Sequence, residues 1–131
     1  MSLSSIRYLL TIRELNQELQ KIKSKDIADK LGYSKPSITR AINNLVTAGL
    51  VERNNGIELT KEGEIQSSRC LCCVNYVKEA LCKILDMPMR FASNDALNIV
   101  GALSEQGFER LCVLLEFDED INEEHPSRRT K

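Results

Sequence analysis

Residues 24–59 read SKDIADKLGYSKPSITRAINNLVTAGLVERNNGIEL, and the spacing of turn formers and apolar residues in this stretch decides the fold. Ser24 can cap a helix whose apolar residues are Ile27, Ala28 and Leu31, and Gly32 supplies the left-handed stop after it. Ser34 is the next N-cap candidate, and Pro36 sits in the following first turn, where a missing N–H costs little. Ile38, Ala41, Ile42, Leu45 and Val46 then recur at i, i+3, i+4, i+7 and i+8, which makes one buried stripe of an α-helix. Gly49 ends that helix. Leu50 and Val51 start a strand, Asn54-Asn55-Gly56 makes a tight turn, and Ile57-Glu58-Leu59 returns with period-2 alternation. A short helix, a glycine turn, a longer amphipathic helix and a hairpin, in that order, predict a winged helix-turn-helix, the shape that places one helix in the DNA major groove.

The face opposite the stripe points the same way. It carries Lys35, Ser37, Thr39, Arg40, Asn43, Asn44 and Thr47, short hydrogen-bonding groups and cations of the kind that reach base edges and phosphates. Lys35, Ser37, Thr39, Arg40, Asn43 and Asn44 of this face, with Lys25, Ser34, Pro36 and the wing-tip Asn55, form the expected double-stranded DNA contact set. Charge is partitioned: residues 1–63 hold ten Lys/Arg against seven Asp/Glu, and residues 64–131 hold eight against twelve. The chain is nearly neutral (formal charge −1), so its cations are segregated rather than abundant. Lys21, Lys23, Lys25, Lys30, Lys35 and Arg40 cluster on and just before the helix pair, where phosphates would pass. A rival reading is a winged-helix module that binds protein instead of nucleic acid.

Outside this stretch the pattern is helical. Residues 3–22 read as a first helix with Ile6, Leu9, Leu10, Leu15, Leu19 and Ile22 on its apolar side. Thr60 is placed to cap a long helix that runs to about Leu85, where Asp86-Met87-Pro88 stops it. Ser93 or Asn94 then caps a helix through Leu97, Val100 and Leu103, and Ser104 caps a last one through Phe108 and Leu115. The expected fold is mainly α, with a DNA-binding domain over 1–63, a helical dimerisation domain over 64–117, and a disordered charged tail over 118–131.

Hydrophobic residues make up 42% of the 131, with no Trp and three Phe, so Leu, Ile, Val and Ala must build the core, and dimerisation would complete its burial. No apolar run is long enough to span a membrane, and MSLSSIRYLL lacks the features of a signal peptide, which gives a cytoplasmic expectation. Five cysteines (Cys70, Cys72, Cys73, Cys82, Cys112) are odd in number and read as reduced thiols rather than a disulfide framework. Cys70 and Cys73 share a helix face, so a thiol sensor or soft-metal site is the alternative to simple core packing. No glycine-rich phosphate loop and no histidine near a candidate nucleophile supports an enzyme.

With the wing followed by one long and two shorter helices, residues 4–117 resemble the diphtheria toxin repressor/manganese transport regulator family of iron-dependent repressors. The likeness is carried by Arg7-Tyr8-Leu9 with Ile12, Asp26-Ile27-Ala28 with Leu31, Pro36-Ser37-Ile38-Thr39, Leu59-Thr60-Lys61-Glu62-Gly63, and Asn94-Asp95 with Leu103-Ser104. It implies a homodimeric, metal-activated repressor whose third helix reads an operator, with Ser34, Pro36 and Arg40 near bases. Family members use Mn, Fe or other divalent transition metals held by Asp, Glu, His, Met or Cys. The corresponding positions here are Arg7, Leu10, Asn75, Leu97, Val100 and Gly101, of which only Asn75 could donate a lone pair. Glu79 and Ser93 match a second family site but make a poor ligand set, and the sole histidine is His125 in the tail. The resemblance thus implies a regulator that has lost its metal ligands; no cofactor is expected, and apolar packing replaces the ion.

Overall fold

Six helices and one small hairpin follow one another in a computed structural model that describes the backbone of residues 2–124 and the side chains of residues 2–116. The elements are α1 (Leu3–Glu18), α2 (Ser24–Leu31), α3 (Lys35–Thr47), β1 (Val51–Arg53), β2 (Ile57–Leu59), α4 (Lys61–Leu85), α5 (Met89–Ala102) and α6 (Glu105–Glu124). The chain divides into two compact units, residues 1–71 and 72–131, and the division falls inside α4, beyond the boundary at 63 expected from the end of the wing.

The first unit is a winged helix-turn-helix. Its core is Tyr8, Leu9, Ile12 and Leu15 of α1, Ile22, Ile27 of α2, Ile38, Ile42 and Leu45 of α3, and Val51 and Ile57 of the hairpin. Each fully buried aliphatic side chain is worth roughly 1.5–3 kcal/mol, so this cluster is what fixes α3 against the other elements. Gly32 adopts the expected left-handed geometry (φ 73°) and separates α2 from α3. Ser34 caps α3 by accepting from the Ser37 N–H at 3.4 Å, with Pro36 in the first turn. Val46 is an exception to the expected stripe: it is exposed.

The expected first helix was too long. Leu19 turns extended (φ −120°, ψ 143°) and ends α1, and Ile22 instead joins the wing, where its carbonyl accepts from the Ile57 N–H at 2.8 Å. The periodicity that placed Leu19 and Ile22 on α1 was accidental: Leu19 is exposed, and Ile22 is buried as a strand-like residue. Nor does Ser24 cap α2. Lys23 is the cap residue, and its backbone N–H donates to Asp26 Oδ2 at 2.8 Å, the carboxylate half of a capping box.

In the hairpin Val51 pairs with Leu59, Glu52 with Glu58 and Arg53 with Ile57, and Asn55 (φ 60°) and Gly56 (φ 146°) make the turn. At its root, Thr60 Oγ1 donates to the Gly49 carbonyl at 2.6 Å and accepts from the Gly63 N–H at 3.0 Å, the N-cap expected for α4. Arg13 of α1 donates to Ser67 Oγ at 3.1 Å and the Glu64 carbonyl at 3.4 Å, which satisfies the buried Ser67 and ties α1 to the start of α4.

In the second unit α4 ends at Leu85, and Asp86 (φ 53°) reverses the chain before Pro88. Helix α5 starts at Met89 with Pro88 as its cap residue, earlier than the expected cap at Ser93 or Asn94. Ser93 Oγ donates instead to the Met89 carbonyl at 2.9 Å, the back-bonding a serine makes inside a helix. Ser104 caps α6 by accepting from the Gly107 N–H at 3.0 Å. The backbone of α6 continues to Glu124, past the expected start of a disordered tail at 118; residues 125–131, including His125, lie outside the described residues. Among the described residues, no helix is long and apolar enough to cross a membrane.

Candidate nucleic-acid interface

The helix expected to read DNA is held by its buried side and presents its other side to solvent. Ile38, Ile42 and Leu45 are buried, while Ser34, Lys35, Pro36, Ser37, Thr39, Arg40, Asn43 and Asn44 are all exposed. Lys35, Pro36, Thr39, Arg40, Asn43 and Asn44 line one shallow groove along α3, so six of the ten expected contact residues share a continuous surface. Ser34 and Ser37 lie on the adjacent flank, where the Ser34 hydroxyl donates to Ser37 Oγ at 2.9 Å. Asn55 is at the exposed wing tip beside Lys21 and Gly56, and Lys25 stands apart in the first turn of α2.

Two residues absent from the expected contact set belong to this surface. Arg53 ends β1 and its guanidinium donates to Asn43 Oδ1 at 3.0 Å, which ties the wing to α3 and leaves the Asn43 amide N–H groups free to donate. A cation directly before a wing turn was the available signal. Arg7 is the second. It is half-buried on α1 and opens, with Arg40, onto a cleft between α1 and the N-terminal half of α3. Its pairing with α3 has no local sequence signature. In the same region the Tyr8 and Tyr33 rings are 6.0 Å apart, and burial, reinforced by Tyr33, raises the Tyr8 pKa above 10.0. Lys30 of α2 pairs with Glu14 of α1 at 2.7 Å; this hydrogen bond raises the Lys30 pKa, so the lysine keeps its charge.

The six positions that correspond to family metal ligands carry little donor chemistry. Leu10 and Leu97 are half-buried, Val100 is buried and Gly101 is half-buried, none with a side-chain lone pair, while Asn75 is exposed and Arg7 is cationic. Of the second pair, Glu79 lies 3.8 Å from Lys83 on α4, and Ser93 is engaged with its own helix. Among the described residues, no three His, Cys, Asp or Glu side chains gather to hold a metal ion. The residues present do not fit a divalent transition metal.

A MarR-family model matches residues 1–56, the span from α1 to the wing turn. The chain is similar to the transcriptional regulator MntR of Escherichia coli O157:H7, at 30% identity over 103 residues that cover 76% of this chain and 64% of that protein. It therefore spans less than two-thirds of that relative's length. It is also 30% identical, over 112 residues, to an HTH-type transcriptional regulator of Methanocaldococcus jannaschii, with 84% of this chain and 87% of that one covered. The structure of the manganese regulator SloR superposes with a TM-score of 0.69 at 27% identity, over 86% of this chain and 54% of SloR. With 30% identity over 84% of its length to one such protein and a winged helix-turn-helix as its first unit, the chain belongs to the helix-turn-helix transcriptional regulators of the winged-helix type.

Proposed function

We propose that the chain acts as a homodimeric, sequence-specific DNA-binding repressor, a relative of the metal-dependent regulators that works without metal. The observation that carries this reading is the α3 surface: six polar or cationic residues along one groove, on a helix anchored by Ile38, Ile42 and Leu45. Metal independence is supported by the donor chemistry, since Leu10, Leu97, Val100 and Gly101 offer no ligand atom. Dimerisation is supported by the apolar side chains that the second unit leaves exposed, including Ile84 (79%), Leu85, Met89 and Phe91, and a second copy would cover such a patch.

Titration of duplex DNA in the presence of EDTA and then of excess Mn(II) tests the reading. Affinity should change less than tenfold between the two, and Arg40→Ala, which removes a cation from the α3 surface, should weaken binding. A larger metal response ends the metal-independent reading, and no binding at low salt ends the DNA reading. A second input has one observation behind it. Cys73 and Cys112 are both buried with their Sγ atoms 3.7 Å apart, close enough that oxidation by a hydroperoxide could join them. Comparing reduced and peroxide-treated protein in the same titration decides whether thiol state controls DNA affinity.

A further inference from the structure

Arg13 and Arg53 of the first unit are tied down, and Arg7 and Arg40 are not. Arg13 is held by Ser67 and the Glu64 carbonyl, and Arg53 by Asn43. Among the described residues, neither Arg7 nor Arg40 has an ion pair or a hydrogen bond. Both open onto one cleft of about 700 Å³ between α1 and α3, and its lining includes the hydroxyls of Ser4, Tyr33, Ser34 and Ser37 but no carboxylate. A cavity walled by two unneutralised guanidiniums and several hydroxyl donors is chemically matched to a phosphate-type anion, which a guanidinium grips through paired N–H groups.

The placement narrows the source of that anion. Ser34, Ser37 and Arg40 follow one flank of α3, beside the groove lined by Thr39 and Asn43. When the groove face lies in a major groove, the flank must run along a bordering sugar-phosphate ridge. The cleft is larger than a single phosphate, with room for the two sugars on either side. We propose that it seats one phosphodiester of the DNA backbone between Arg40 and Arg7, which brings α1 into the DNA footprint. Arg7, a position where the resembled family places a metal ligand, becomes a backbone contact that fixes the register of α3. The inference rests on the proposed DNA-binding function and adds a specific second helix to it.

The experiment compares wild type, Arg7→Ala and Arg7→Lys by the salt dependence of binding to two duplexes of unrelated sequence. Each neutralised phosphate contributes about 0.9 to the slope of log K against log salt. Arg7→Ala should flatten the slope by up to about 0.9 and weaken binding several-fold at low salt, equally on both duplexes, because a phosphate carries no base identity. Arg7→Lys should restore the slope. Arg7 is only half-buried, so both variants should keep the wild-type circular dichroism; were the alanine variant unfolded, the lysine variant and Arg7→Gln would supply the comparison. If wild type binds duplex DNA and Arg7→Ala leaves slope and affinity unchanged, the seat is refuted while the function stands. If wild type binds no duplex, both fail. A parallel NMR titration with inorganic phosphate covers the other source: millimolar phosphate shifting Arg7 and Ser37 signals, with no Arg7 effect on the DNA slope, would reassign the cleft to a free anion and overturn the backbone contact.

Discussion

Gly63 and Gly107 occupy the same place in two helices, the third residue of α4 and of α6, and each donates its N–H to a hydroxyl cap three residues earlier, Thr60 or Ser104. Their replacement by alanine should nonetheless give opposite results. A Cβ at Gly63 would overlap the Leu50 carbonyl, a backbone atom that also accepts from the Thr60 N–H at 3.0 Å, and would crowd Leu59 Cδ2 at 3.3 Å. At Gly107 the nearest atoms are Ser104 Oγ at 3.3 Å and Leu103 Cδ2 at 3.5 Å, side-chain atoms that can yield. Overpacking costs about 1–3 kcal/mol, and displacing the Leu50 carbonyl also weakens one or two hydrogen bonds worth about 0.5–1.5 kcal/mol each. The helix preference for alanine over glycine returns about 1 kcal/mol. Gly63→Ala should therefore lose about 0.5–5 kcal/mol, and Gly107→Ala should match or slightly exceed wild type, because only the propensity gain and a small side-chain adjustment compete. Urea unfolding followed by circular dichroism measures both. Amide exchange at Thr60 localises the first effect to the wing root, where it should be faster in Gly63→Ala and unchanged in Gly107→Ala. Equal stabilities for the two variants would refute the claim that α4 starts hard against the Leu50 carbonyl.

The remaining expectations concern the core and pH. Ile42→Ala, at a fully buried position on the back of α3, should destabilise the protein by about 2–5 kcal/mol through lost transfer energy and an unfilled cavity; a loss below about 1 kcal/mol in a denaturant titration would show that α3 is not anchored there. Tyr8 should make stability fall at alkaline pH. Its folded pKa lies above the unfolded value of 10.0, so its contribution is complete below pH 10 and is lost as pH rises through the folded value. Unfolding midpoints from pH 8 to 11 should show a decline that Tyr8→Phe reduces; an identical decline in the variant would place its origin elsewhere.

The order of elements in the first unit was legible because turn residues with one physical role marked each boundary. Gly32 and Gly49 both adopt positive φ (73° and 79°), Asn55 and Gly56 form the wing turn, and Ser34, Thr60 and Ser104 all cap as their spacing required. The failures came where local pattern and tertiary pairing compete. Ile22 fits a helical stripe by spacing, yet its backbone is taken by Ile57, thirty-five positions later in the chain, and no window centred on α1 contains that partner. The α5 start was misplaced because Ser93 can bond either forward as a cap or backward to the Met89 carbonyl, and with Pro88 fixing an earlier start it bonds backward.

The site divides along the same line. Residues of α3 could be named from the sequence because a helix buried on one side has only one side left, and all eight residues of the expected set in Ser34–Asn44 are exposed. Arg53 and Arg7 could not, since each reaches α3 from another element and its relevance depends on a distance that the chain does not encode locally. They also differ in kind. Arg53 is engaged with Asn43, so it braces the wing against α3 and gives that helix a fixed neighbour on one flank. Arg7 is unengaged among the described residues and stands with Arg40 on another cleft of the helix. Under the proposed function, α3 is anchored beneath by isoleucines and tied at one side to the hairpin, so its exposed face is oriented before any DNA arrives. In the proposed phosphate seat, Arg40 stands on that anchored helix and Arg7 on α1, so both cations are held by packed elements before DNA arrives.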